Sequence, residues 1–150
     1  MTRSNARELV AHLIYEMDYT KETPAQVVES RLEREYYSEL ASENEVYAER
    51  PSKKQLAYIT ACVNGVAEHS QELDGYISKF SVGWNLNRIS RFTKSAMRLA
   101  MFEILYVNDV PTGVAINECV ELTRKYEEEE VVSFVNGILG SFARSLKESE

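Results

Sequence analysis

Apolar residues recur three and four positions apart along almost the whole chain, and nowhere do they alternate strictly between turn residues. That spacing places them on one face of a 3.6-residue helix and excludes half-buried strands. Leu9, Val10, Leu13, Ile14 and Met17 form the first such face, with Arg3, Arg7, Glu8 and His12 on or near the other side. Ser4 or Asn5 is the expected cap of that helix. Thr23-Pro24 is a second start, a capping hydroxyl followed by proline at the first helical position. Val27, Val28, Leu32, Tyr36 and Leu40 give that helix its stripe.

Residues 41–50 are acidic and weakly patterned, and read as a loop or a frayed helix extension. Pro51-Ser52 restarts the chain. Leu56, Ile59, Val63, Val66 and Ala67 line a third helix, with Leu73 and Ile77 continuing it or packing just beyond, and Asp74-Gly75 as a bend. The stretch from Ser81 to Leu86 reads as a connection anchored by the sole tryptophan, Trp84. Ile89, Phe92, Ala96, Leu99, Phe102, Leu105 and Tyr106 define a long helix, which Val110-Pro111-Thr112 ends while starting the next. Val114, Ile116, Cys119, Val120 and Thr123 pack that one. Glu127 to Glu130 precede the last helix, where its dipole favours acid. That helix buries Val131, Phe134, Val135, Ile138, Leu139, Phe142 and Leu146. The expected fold is all-α, a single compact domain over residues 1–150, with short connections between antiparallel neighbours.

The formal charge of −7 speaks against a nucleic-acid partner, but the charge is uneven. Residues 51–100 hold 7 basic and 3 acidic residues, against 3 and 7 in residues 26–50 and 4 and 10 in residues 101–150. An acidic protein of this kind can present a local basic surface. Cys62 and Cys119 lie in helical runs outside any CxxC pattern and read as buried, reduced thiols. No signal-peptide core and no apolar run near 18 residues is present, which reads as a soluble cytoplasmic protein with no membrane partner.

No reaction constellation emerges. The glycines are dispersed and form no phosphate-cradling loop. His12 and His69 are far apart and lack metal-ligand spacing. Glu118, Glu121 and Arg124 read as surface pairing on one helix. The expectation is a binding module, with no enzyme activity, cofactor or metal. Asn117 and Asn136 read as polar groups satisfying partners between helices, and Gly137 as allowing a close helix approach.

Four ordered blocks in the C-terminal half resemble the NusB family. Trp84-Asn85-Leu86-Asn87-Arg88-Ile89 is similar to its Trp followed by an Arg-Ile pair. Met97-Arg98-Leu99-Ala100-Met101-Phe102-Glu103-Ile104 is similar to its "LRLA-aromatic-E" helix. Asp109-Val110-Pro111 with Val114-Ala115-Ile116-Asn117-Glu118 resembles "DVP…VAINE", and Phe134-Val135-Asn136-Gly137-Ile138-Leu139 resembles "FVNGIL". Ala6-Arg7-Glu8 and Tyr15 resemble the N-terminal "ARE…LY" element, so the likeness spans nearly the whole chain.

The resemblance implies about six to seven helices in two packed helical subbundles. It implies transcription antitermination: binding of boxA-type single-stranded RNA jointly with NusE, the small-subunit ribosomal protein, and assembly of an antitermination complex on RNA polymerase, including at ribosomal RNA operons. Single-stranded RNA needs cations for phosphates and flat groups for bases. The N-terminal segment supplies Arg3 and Arg7 for phosphates, the resemblance indicates Tyr15, Phe80 and Phe134 for stacking, Lys79 is a compensating cation, and Glu130, one turn before Phe134, repels phosphate unless it accepts from a base edge. Lys53 or Lys54 are further candidate cations, because Ser4 and Asn5 stand where the family has more arginines. Glu127 to Glu130 stand where it has a glycine-containing turn, which implies a regular helix extension or a more acidic rim. The NusE surface is implied around Arg98 to Tyr106. Homodimers that cover the RNA face occur in the family, and the sequence leaves that open. Two other readings remain: a helical adaptor for protein alone, and the NusB-like module found in certain ribosomal RNA cytosine methyltransferases, for whose catalytic domain this chain has no room.

Overall fold

The computed structural model describes residues 1–148, and among them the regular structure is helical throughout. Eight α-helices form two compact units, the first Met1–Glu68 and the second from His69 onward. Two units match the expected two subbundles.

In the first unit α1 (Arg3–Thr20) packs on α4 (Lys53–Glu68) and α2 (Pro24–Arg31), which also meet each other. Capping fixes the helix starts. Thr2, not Ser4 or Asn5, caps α1, its Oγ1 accepting from the Asn5 N–H at 3.0 Å. Thr23 and Gln26 form the reciprocal capping box at Pro24. The single helix expected from Val27 to Leu40 is two. The first ends at Arg31 with Leu32 as its cap, and Glu33 starts α3 (Arg34–Leu40) by accepting from the Tyr36 and Glu35 N–H groups, which holds its carboxyl below the usual range. The break shifts the face, so Tyr37 is buried and Tyr36 exposed. The acidic stretch 41–50 is ordered as a 3-10 turn, Glu45–Tyr47, whose Val46 and Tyr47 are buried. Arg31 Nη1 donates to the Tyr47 hydroxyl (2.6 Å), which lies 2.7 Å from His12 Nδ1. Burial pushes the Tyr47 phenol up to about 12.

The expected exposed side of α1 is partly wrong. Arg7 and Glu8 are buried, within an unbroken buried run from Ala6 to Ala11. Five or more successive buried positions pass right around a helix, so no solvent stripe exists at this level of α1.

In the second unit α5 (Ser70–Phe80), α6 (Arg91–Tyr106), α7 (Thr112–Tyr126) and α8 (Glu129–Glu148) pack together, α6 on α7 and α5, and α8 on α7, α5 and α6. Leu73 and Ile77 belong to α5, a separate helix that starts after His69; Gly75 lies inside it and does not bend it. Pro111 stands at the cap of α7, where a missing N–H costs nothing. Met97, Met101, Val135, Ile138, Leu139 and Phe142 are fully buried. Cys62 and Cys119 are buried thiols outside any disulfide, and burial pushes the Cys119 thiol up to about 12.

Asn117, Asn136 and Gly137 depart from expectation, since all three are exposed. A Cβ added at Gly137 meets nothing within 4 Å, so no close helix approach depends on it. A helix at a surface gives such residues solvent as a hydrogen-bond partner, and the sequence does not mark which turn of an amphipathic helix leaves the core.

Candidate nucleic-acid interface

Three of the candidate residues lie on α1 in the first unit. Arg3 is exposed, and its guanidinium carbon sits 3.6 Å from the centre of the Tyr58 ring on α4. A cation held over an aromatic face keeps its charge and loses mobility. Arg7 is only 6% exposed, so its guanidinium is not part of the open surface. Tyr15 is 39% exposed and lines a groove of about 340 Å³ with Glu16, Tyr19, Thr20 and Arg31. Glu16 pairs with Arg31 there, which fixes the groove wall. Lys53 and Lys54 are exposed at the start of α4.

The other four lie in the second unit. Lys79 and Phe80 end α5. Lys79 is exposed with its Nζ 5.4 Å from the centre of the Phe80 ring, and Phe80 is half-buried against Phe142, edge to face. Phe134 and Glu130 are one turn apart on α8. Phe134 is 6% exposed, with the Trp84 ring centre 3.7 Å from its own and the planes at 50°. Glu130 receives a two-pronged contact from Arg88, at 2.7 and 2.8 Å. The fold thus brings Phe134 and Glu130 together with Trp84 and Arg88, two residues of the connection 81–90 that sequence reasoning did not place in the site. The signal was available: a lone tryptophan and an arginine four positions apart in a connection between helical stripes.

The four glutamates do not form a bare acidic rim. α8 begins at Glu129, so the helix does not run through all four. Glu127 accepts from the Thr93 hydroxyl at 2.9 Å and from the Ser90 N–H at 3.3 Å, tying the α7–α8 turn to the start of α6. Glu129 pairs with Arg124 and Glu130 with Arg88. Three of the four carboxylates therefore have fixed partners, two of them cationic.

Among the described residues no group of three or more His, Cys, Asp and Glu is placed to hold a metal ion, and no helix is long and apolar enough to cross a membrane. Fold and surface together define a small all-helical protein of two bundles that presents aromatic rings beside cations. The model of the NusB family matches residues 4–144. The transcription antitermination protein NusB of Clostridium perfringens is 36% identical over 147 residues, covering 98% of this chain and 100% of that protein. The protein of the same name from Acetivibrio thermocellus is 38% identical over 144 residues, covering 96% of this chain and 90% of its own. The chain belongs to the NusB family. Among solved structures, T. maritima NusB superposes with a TM-score of 0.76 at 28% identity, over 96% of this chain and 92% of that one. A structure of the antitermination factors NusB and NusE with double-stranded RNA matches with a TM-score of 0.71 over 95% of this chain and 96% of that one; at 23% identity it attests the fold.

Proposed function

We propose that this chain is a transcription antitermination factor that binds boxA-type single-stranded RNA jointly with NusE and helps to assemble an antitermination complex on RNA polymerase, including at ribosomal RNA operons. Its task is scaffolding in the cytoplasm, without catalysis. The observation that carries this reading is family membership over nearly the full length, with relatives named as antitermination proteins. The occurrence of a NusB with NusE and RNA in one solved structure supports the choice of partners.

Within this reading the assigned residues divide by what they present. Arg3 and Lys79 are exposed cations suited to phosphates, and Tyr15 and Phe80 offer ring surface for bases. Arg7 and Phe134 act from beneath the surface, by holding α1 and by backing Trp84. Glu130 acts through the charge-matched fork with Arg88. Ser4 and Asn5 in place of N-terminal arginines, and acid near Phe134, imply weak RNA binding alone and useful affinity with NusE.

Titration of end-labelled boxA-type RNA with the chain, with and without NusE, at two salt concentrations tests this. Binding by the pair is expected, with Arg3→Ala and Lys79→Ala each making the dependence of log affinity on log salt shallower by roughly 0.7, the value of one phosphate contact on a single strand. Absence of RNA binding in both cases, with NusE still bound, would leave a protein-only adaptor.

A further inference from the structure

The connection between α5 and α6 presents an aromatic surface that Phe134 does not. Trp84 is the chain's one tryptophan, and 42% of it is exposed while Phe134, beneath it, is 6% exposed. A part-exposed tryptophan offers a large flat ring with a polar N–H, the kind of side chain enriched at interfaces. The loop that carries Trp84 is shaped. Its N–H donates to the Ser81 carbonyl at 2.9 Å, closing a turn, and Gly83 takes a φ of +87°, which glycine adopts without strain. With Phe134 on one side and a closed turn behind it, the indole is held before any ligand arrives.

The charge of the segment that carries this ring favours an anionic ligand. From Gly75 to Phe102 the chain has no acidic residue and five basic ones, Lys79, Arg88, Arg91, Lys94 and Arg98. Arg98 is engaged by Asp74 and Arg88 by Glu130, while Lys79 and Arg91 are exposed. The Glu130 carboxylate that faces the same turn as Phe134 is matched by the Arg88 fork, so it presents a neutral pair to an approaching phosphate. A flat, part-exposed ring carried on a chain segment rich in cations suits a base with its flanking phosphates.

We propose that Trp84, seated on Phe134, is a stacking platform for one unpaired RNA base, and that Trp84 is the aromatic of this region that touches RNA while Phe134 positions it. The proposal rests on the RNA-binding reading above and adds a residue to it. Every base has a π-face, so this contact contributes affinity with little sequence preference.

A sole tryptophan makes the test direct. Indole emission of the full chain with NusE is followed as boxA-type RNA is added, in parallel with anisotropy of labelled RNA and with NusE emission subtracted. Emission is expected to change and saturate with the anisotropy. Trp84→Leu, which still covers Phe134 with apolar surface, is expected to weaken RNA binding by roughly 5- to 150-fold, the range for one stacked base. Trp84→Phe is expected to keep most of the affinity. The salt dependence is expected to stay unchanged in both, because no phosphate contact is removed. RNA binding with wild-type emission unaltered, or wild-type affinity in Trp84→Leu, overturns the platform and leaves the RNA-binding reading intact. An emission change caused by NusE alone, with none on adding RNA, overturns it in favour of a protein contact. No RNA binding by wild type with NusE overturns both. The emission readout needs no mutation, so a poorly folded variant does not remove the test.

Discussion

Glu127 is the strongest test of how the acidic run is used. Its carboxylate accepts from the Thr93 hydroxyl at 2.9 Å and the Ser90 N–H at 3.3 Å, and Thr93 is fully buried. Glu127→Ala removes the charged acceptor and leaves the Thr93 hydroxyl with the neutral Ser90 Oγ, 3.1 Å away, as its side-chain partner. A hydrogen bond to a charged group contributes about 1.5–3 kcal/mol. Glu127 is itself only half-buried, so solvent screens its charge, and the Ser90 contact is long and at the surface. The expected cost is about 2 kcal/mol, which in a chain of this length lowers the melting temperature by about 4–8 °C. Glu127→Gln keeps an oxygen in place and is expected to lose less than about 1 kcal/mol. Urea titration followed by circular dichroism at 222 nm reads both, and the slope of the transition checks that the unfolded states compare. If Glu127→Ala has the wild-type midpoint, the carboxylate is not joining α6 to the α7–α8 turn, and the acidic run is the bare rim its sequence first implied.

Two further perturbations follow from burial. Gly137→Ala places a methyl group where nothing lies within 4 Å, so it is expected to stabilise the chain by about 0.5–1 kcal/mol, from helix propensity alone; a lower urea midpoint would restore the close helix approach expected from the sequence. Burial raises both Cys119 and Tyr47 to about 12 from ordinary values of 9.0 and 10.0. Between each ordinary value and 12 the unfolded chain gives up a proton that the folded chain keeps, so stability is complete below pH 9 and falls as pH rises toward 12. The urea midpoint is expected to drop between pH 8 and 10.5, less steeply in Cys119→Ala, and an unchanged wild-type midpoint over that interval contradicts the burial argument.

Helix positions were legible because apolar spacing and capping are local. Thr23-Pro24 and Pro111 mark true starts, and the buried face of α8 follows its stripe, whereas α6 keeps only Ala96, Leu99 and Phe102 of its expected stripe buried, exposes Tyr106, and buries Thr93, Met97 and Met101 instead. Errors arose where a side chain overrode the pattern. Glu33 caps a new helix from its own carboxylate, and nothing in the Val27-to-Leu40 stripe announces it. Arg7 and Glu8 read as solvent-facing because charged residues are seldom fully buried, yet α1 is enclosed at their level. The candidate site was legible in part. The family motif indicates Phe134, but which ring lies uppermost depends on how the 81–90 connection folds back onto α8. The partners of Glu127, Glu129 and Glu130 are likewise tertiary for Ser90, Thr93 and Arg88, and only Arg124 to Glu129 is near in sequence.

Joint binding of RNA and NusE is the central claim, and thermodynamic linkage tests it most directly. If the two ligands cooperate on this chain, RNA must tighten NusE binding by the same factor by which NusE tightens RNA binding. The measurement is the affinity of the chain for NusE by titration calorimetry, first without RNA and then with boxA-type single-stranded RNA at saturating concentration. The expected result is a tighter complex with RNA, by a factor equal to the gain in RNA affinity on adding NusE, and no gain with an RNA of scrambled sequence. Equal NusE affinity with and without the boxA-type RNA would contradict joint recognition.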